Sequence, residues 1–259
     1  MRYTDDPAGA LDVQVIGNQW WWEYRYDMDG DGTDDIVTAT DLVIPAGYPV
    51  NLEITSRDVI HSFWIPALNG KKDAVPGRSH PLTLEADEPG VFQGQCTEFC
   101  GLSHAYMRMR AVALEPAEFD AWVDDQMEEA EAPEEGSQAE AGLEIFRATC
   151  SRCHLVTGHN DEEYDGSAEQ VSGAAPNLTH FASRGAFAGG ILELWKDVDG
   201  SGEIEPDEIG EQLNRGNLEA WLADPPAEKP MDAPTRGMPD LDLTADAIDA
   251  LVAYLETLE

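Results

Sequence analysis

The chain has 259 residues, 42% of them hydrophobic, with 15 Lys and Arg against 52 Asp and Glu for a net charge of −37. That length suits one large domain or two small ones with real cores, and the acidity argues against nucleic acid, which needs a basic face to displace its counterions. No stretch approaches the roughly 20 apolar residues that cross a bilayer, and no basic start followed by an apolar run marks a leader peptide.

From Leu11 to Leu114 the chain reads as short alternating segments separated by turn residues. Leu11, Val13 and Val15 alternate, as do Val50, Leu52 and Ile54, and Leu82 with Leu84. A period of two at such close spacing predicts half-buried strands in an antiparallel sandwich or barrel. Pro116 opens a predicted helix with Phe119, Trp122 and Val123 on one face. Residues 128–140 are rich in Glu, Ala and Pro and nearly free of large apolar side chains. Such a composition cannot bury enough surface to offset ordering entropy, so it predicts an acidic linker, with a domain boundary near 135. Helical signals follow. Leu143 and Phe146 precede a cysteine pair, and Thr244 is placed to cap a last helix carrying Ile248, Leu251, Val252 and Leu255.

The four cysteines form two close pairs, Cys96 with Cys100 and Cys150 with Cys153, which suggests two local metal or cofactor sites. The first pair lies in Cys96-Thr-Glu-Phe-Cys100-Gly-Leu-Ser-His104-Ala-Tyr-Met107, and His61 stands well upstream. Soft thiolate and thioether donors favour copper, with imidazole completing the site. A disulfide, or a zinc site with His61 and His104, uses the same residues but leaves Met107 without a purpose. Met109 is out of step with the pattern and reads as core.

These residues, with Val15-Ile-Gly-Asn-Gln-Trp20-Trp-Trp-Glu-Tyr and Asp73-Ala-Val-Pro-Gly-Arg78, resemble the extracytoplasmic domain of cytochrome c oxidase subunit II. The resemblance implies that Cys96 and Cys100 bridge two copper ions. His61 and Met107 would belong to one copper, His104 and the Glu98 carbonyl to the other, and the Glu98 side chain would point to a magnesium ion at the boundary with subunit I. It also implies Trp20 as the surface aromatic where electrons enter.

Cys150-Ser-Arg-Cys153-His154 is the attachment pattern of c-type haem, with two thioether links and His154 as proximal ligand. Residues 137–259 resemble a class I cytochrome c domain. That resemblance implies Met238, in Gly237-Met-Pro239, as the sixth ligand in preference to Met231, and Pro176 as the carbonyl that orients His154. His159 and His180 read as ordinary polar loop residues.

Asp197-Val-Asp199-Gly-Ser201-Gly-Glu203-Ile-Glu205-Pro-Asp-Glu208 follows the EF-hand loop, with oxygen donors at Asp197, Asp199, Ser201, Glu203 and Glu205, and Glu208 closing. Flanking helices are expected, from Ile191, Leu194 and Trp195 before it to Ile209 and Leu213 after it. Asp27-Met-Asp29-Gly-Asp31-Gly32 is a weaker match without a closing ligand, placed where a hairpin turn is expected.

The fold expected is two domains. An all-β cupredoxin domain of Greek-key type (1–127) and a linker (128–140) precede an all-α class I cytochrome c domain (141–259) with an EF-hand-like insertion at about 190–214. The combination resembles subunit II of the caa-type oxidases. It implies an extracytoplasmic chain that takes electrons from an external donor through haem c to the copper pair and on to oxidase subunit I and other membrane subunits. The two N-terminal membrane helices of such subunits are missing here, which suggests an ectodomain. A copper-containing nitric oxide reductase and a free soluble shuttle are the other readings. The acidity fits a salt-loving source, with an acidic dock for a basic donor as the alternative.

Overall fold

The computed structural model describes residues 11–161, 174–231 and 236–259. The first half is built from β1 (Leu11–Asn18), β2 (Trp21–Tyr26), β3 (Ile36–Ala39), β4 (Asp41–Pro45), β5 (Val50–Ser56), β6 (His61–Phe63), β7 (Lys72–Ala74), β8 (His80–Leu84), β9 (Gly90–Gln95) and β10 (Arg108–Leu114), closed by α1 (Pro116–Gln126). The second contains α2 (Gln138–Ile145), β11 (Ala186–Phe187), β12 (Leu192–Glu193), α3 (Arg215–Ala223), α4 (Pro225–Glu228) and α5 (Ala245–Leu255).

One sheet has the order β3-β2-β1-β5-β8, a second β4-β10-β9, and β6 pairs with β7. Alternation in the sequence sets the buried face: Leu11, Val13 and Val15 of β1 and Val50, Leu52 and Ile54 of β5 all point into the core. Tyr26 ties the sheets together, its hydroxyl donating to the Val43 carbonyl and accepting from the Val43 N–H, both at 3.0 Å. Purely antiparallel pairing does not hold. The pairs β1–β5 and β4–β10 run parallel, because each partner is reached by a crossover through the other sheet.

In the second half α2 crosses α5 at Gly142. A Cβ there would meet the Ala250 carbonyl and lie 2.6 Å from Tyr254 Cβ, so only glycine permits this approach. Ser137 Oγ accepts the Glu140 N–H at 3.1 Å and Thr244 Oγ1 that of Ala247 at 3.3 Å, as N-caps do. The expected helices around the EF-hand-like loop do not form. β12 and a bridge between Trp195 and Leu213 close the loop instead, with one 3₁₀ turn at Pro206–Glu208. Gly189, Gly190 and Gly210 all take positive φ and interrupt the flanking segments before a helix can nucleate.

The start of the acidic segment is laid along the second half. Ala130 N–H donates to Thr157 O at 3.0 Å, and Nε2 of His159 and of His180 face the Glu131 and Glu128 carbonyls, each at 3.1 Å. Both histidines are buried, which loop placement alone does not suggest. The two halves also share a buried ion pair. Arg110 of β10 grips Asp41 of β4 at 2.9 and 2.6 Å, the Gly185 N–H donates to the same carboxylate at 2.9 Å, and Arg110 Nη1 donates to Ile204 O at 3.3 Å.

Candidate metal and haem centres

β6 delivers His61 from the edge of the β-sandwich to the loop between β9 and β10 that carries the other sulfur and nitrogen donors. Cys96 Sγ lies 3.9 Å from Cys100 Sγ, 4.0 Å from His61 Nδ1 and 3.3 Å from the Glu98 carbonyl. Cys100 Sγ is 3.5 Å from His104 Nδ1 and 3.8 Å from Met107 Sδ. All six residues expected from the sequence therefore meet in one cluster. Cys96, Cys100, His61 and Met107 are buried, while the Glu98 side chain is exposed. The two thiols are free and stand too far apart for a disulfide bond.

Charge on this cluster is uneven. The hydrogen bond from Cys100 holds the Cys96 thiol well below its ordinary value, with burial opposing and His61 assisting. The same contact drives Cys100 upward. The contact favours one thiolate over two, and a cation between the sulfurs is what would release the second proton. Burial lowers His61, but the hydrogen bonds and charges of Asp58 and Cys96 together outweigh it and raise it. Both imidazoles thus turn Nδ1 to the sulfurs, a donor set of soft sulfur and nitrogen that fits copper.

Trp20 is not a surface residue. It is 3% exposed, and Trp21 and Trp22 are buried too. Its carbonyl accepts from Lys229 Nζ at 2.6 Å, while its side chain lies in the core of the first half. Burial pushes Lys229 down to about 7.

At the second cysteine pair, His154 Nδ1 lies 2.8 Å from the Pro176 carbonyl, which leaves Nε2 free to bind a metal. Burial lowers His154, and the Arg184 charge adds to this against the Pro176 carbonyl, so the imidazole is neutral. Arg184 is buried and its Nε has no partner among the described residues, an orphan that suits an anionic group such as a haem propionate. Met238 packs against the core of the second half, whereas Met231 packs against that of the first.

Asp197, Asp199 and Glu208 bring carboxylate oxygens within 4.8 Å of one another, without Glu203 and Glu205, while Ser201 Oγ bonds the Glu203 carbonyl at 3.0 Å. Asp27 and Asp29 converge in the same way with Asp35, which the sequence pattern had not singled out.

Asp58, Arg184, Lys229 and Arg110 were missed from sequence. For the three basic side chains the one signal is scarcity, in a chain with 15 Lys and Arg.

Residues 29–114 match the family of cytochrome c oxidase subunit II periplasmic domains, and residues 139–259 match cytochrome c. Cytochrome c oxidase subunit 2 of Alkalihalophilus pseudofirmus is 37% identical over 95% of this chain and 61% of its own length. That of Bacillus subtilis is 32% identical over 96% and 63%. The periplasmic domain of subunit II from Bradyrhizobium japonicum is 31% identical over 47% of this chain and 96% of that one, with a TM-score of 0.42. The chain spans about three fifths of the length of the curated relatives it matches. A copper-domain sequence, a haem-attachment motif and these relatives agree: the chain belongs to the cytochrome c oxidase subunit II family, in the form whose periplasmic domain is followed by a cytochrome c domain.

Proposed function

We propose that this chain feeds electrons into a haem–copper oxygen reductase from the extracytoplasmic side of a membrane. Cys150 and Cys153 would anchor haem c, with His154 and Met238 as axial ligands. His61, Cys96, the Glu98 carbonyl, Cys100, His104 and Met107 would hold a binuclear copper centre. The haem and the copper pair supply one-electron redox chemistry when bound. The protein holds both in place, excludes water and sets their surroundings. An external donor, a magnesium ion near Glu98 and oxidase subunit I complete the reading. The domains would be 1–127 and 141–259, joined through 128–140.

The observation that carries this reading is the convergence of two thiols, two Nδ1 atoms and a thioether on one buried point, beside a chain segment that matches cytochrome c. Metal analysis of the purified chain tests it. Twice as much copper as covalent haem, with the purple absorption of a mixed-valence copper pair, is the expected result. Zinc in place of copper would overturn it.

Calcium at the Asp197–Glu208 loop is the remaining part of the proposal. Its support is the spacing, with three carboxylates already gathered. Calorimetric titration with calcium checks it: no binding heat would remove calcium and leave the electron-transfer reading intact.

A further inference from the structure

Three buried charged side chains meet where the two halves join. Asp41 of β4 and Arg110 of β10 belong to the first half, and Arg184 belongs to the second. The Asp41 carboxylate accepts from Arg110 Nε at 2.9 Å and Nη2 at 2.6 Å, and from the Gly185 N–H at 2.9 Å. Gly185 directly follows Arg184, so this last bond fixes the Arg184 backbone against the first half. A Cβ on Gly185 would collide with the Arg110 guanidinium, so only glycine allows the approach.

Arg184 reaches in turn to the neighbourhood of His154. His154 Nδ1 lies 2.8 Å from the Pro176 carbonyl, and Arg184 Nη2 donates to the carbonyl of Asn177, the next residue. The two side chains thus hold consecutive carbonyls of one turn. The Arg184 charge is felt at His154, where it adds to burial in lowering the imidazole. Burial pushes Arg184 itself down to about 10, and the Asp41 carboxylate resists that. Arg184 is therefore cationic at neutral pH, and the anion set against it belongs to the other half. Charges away from water act over longer distances than exposed ones. A buried ion pair stabilises no better than well-packed apolar side chains, so the Asp41 cluster points to a use other than stability.

We propose that Asp41 tunes the haem c centre through Arg184: the first half, seated on the second, sets a carboxylate against this cation and so lowers the potential of a haem bound at His154. The inference rests on the haem and copper assignments above. A cation near the iron favours the ferrous state, which carries less positive charge, and an anion set against that cation removes part of the preference. The step served is the passage of one electron, haem iron being oxidised as the copper pair is reduced, with no bond made or broken. Having the first half in place makes the haem a stronger reductant toward the copper it carries. Linkage makes the effect reciprocal, so the two halves hold together more tightly around ferric than around ferrous haem, by the same factor. Asp41 itself is a positioning residue and touches no cofactor.

The test compares the haem-loaded chain as wild type, Asp41→Asn, Arg110→Lys and the double variant Asp41→Asn/Arg110→Met. Spectroelectrochemical titration reads the haem potential, and small-angle X-ray scattering reads whether the halves stay together. In Asp41→Asn the amide oxygen still accepts the Gly185 N–H. Arg110 keeps the Ile204 carbonyl and the nearby charges of Glu193 and Glu203, so the halves stay joined. The expected result is a shift of about five- to tenfold toward ferrous haem, a rise of about 40–60 mV, with the absorption spectrum unchanged. Arg110→Lys keeps the charge but loses the fork, so stability falls while the potential stays. The double variant gives a smaller rise and decides the case should Asp41→Asn fail to fold. An unchanged potential in folded Asp41→Asn, or in the double variant where the single one does not fold, overturns the proposal. So does an equal rise in Arg110→Lys, the mark of a merely structural role. A wild type without covalent haem on Cys150 and Cys153 removes the haem assignment itself, and this proposal with it.

Discussion

The His61 ring is shared between Asp58 and Cys96: Nε2 lies 2.8 Å from the Asp58 carboxylate and Nδ1 lies 4.0 Å from the Cys96 sulfur. Asp58 also accepts the Gln19 N–H at 2.7 Å, so one carboxylate sets the ring and braces the turn beside Cys100. Outer partners of this kind fix the tautomer of a ligating histidine and strengthen it as a donor. In Asp58→Asn the fold persists and copper affinity falls by about 10- to 100-fold. Competition against a chelator measures the change.

The two candidate sulfur ligands for haem lie in different cores. Met238→Ala removes the far-red methionine-to-iron absorption band and lowers the haem potential, because a thioether ligand raises it. Met231→Ala, with its side chain packed against the first core, leaves the band in place and costs only stability. Optical spectra of the two variants with haem attached separate the cases.

His159 is arranged for a neutral imidazole. Nε2–H donates to the Glu131 carbonyl at 3.1 Å, and Nδ1 accepts from the Tyr254 hydroxyl at 2.7 Å. Burial holds its pKa below the ordinary 6.5, assisted by Arg147 and opposed by the Glu131 carbonyl and Asp161. The unfolded chain therefore takes up the proton first as pH falls. The contribution of His159 is complete above 6.5 and declines as pH drops below it. Thermal midpoints of wild type and His159→Gln converge between neutral and mildly acidic pH; a constant gap would contradict this.

Arg110 and Asp41 form a buried pair that also holds Gly185 and Ile204. Arg110→Met strands the Asp41 carboxylate and destabilises by about 3–5 kcal/mol in denaturant unfolding. Adding Asp41→Leu recovers most of that loss, since an apolar pair of similar volume no longer leaves a charge unpaired.

What could be read from sequence was local. Alternation identified β1 and β5 because one face of each is buried, and Thr244 with its apolar stripe identified α5. The copper loop and Cys150-Ser-Arg-Cys-His154 were readable as candidate sites because most of their donors are neighbours in the chain, with His61 the exception. Contacts between distant residues were not. Lys229 meets Trp20 across 209 positions and Arg110 meets Asp41 across 69, and no periodicity encodes either. The surface placement of Trp20 was what the resemblance implied, and its place in the core of the first half overturns it. The helices expected beside Asp197–Glu208 failed for a different reason: apolar spacing was present, but glycines on both sides broke the backbone that would have carried it.

The crossing at Gly142 makes α2 and α5 the two jaws of a clasp, although Cys150, Cys153 and nearly everything else in that half lies between them in the chain. During synthesis the Cys150-Ser-Arg-Cys-His154 segment emerges long before α5 does. Any haem joined to Cys150 and Cys153 before α5 emerges would meet an open chain, with the clasp shutting afterwards. An enlarged residue at position 142 would spoil that closing.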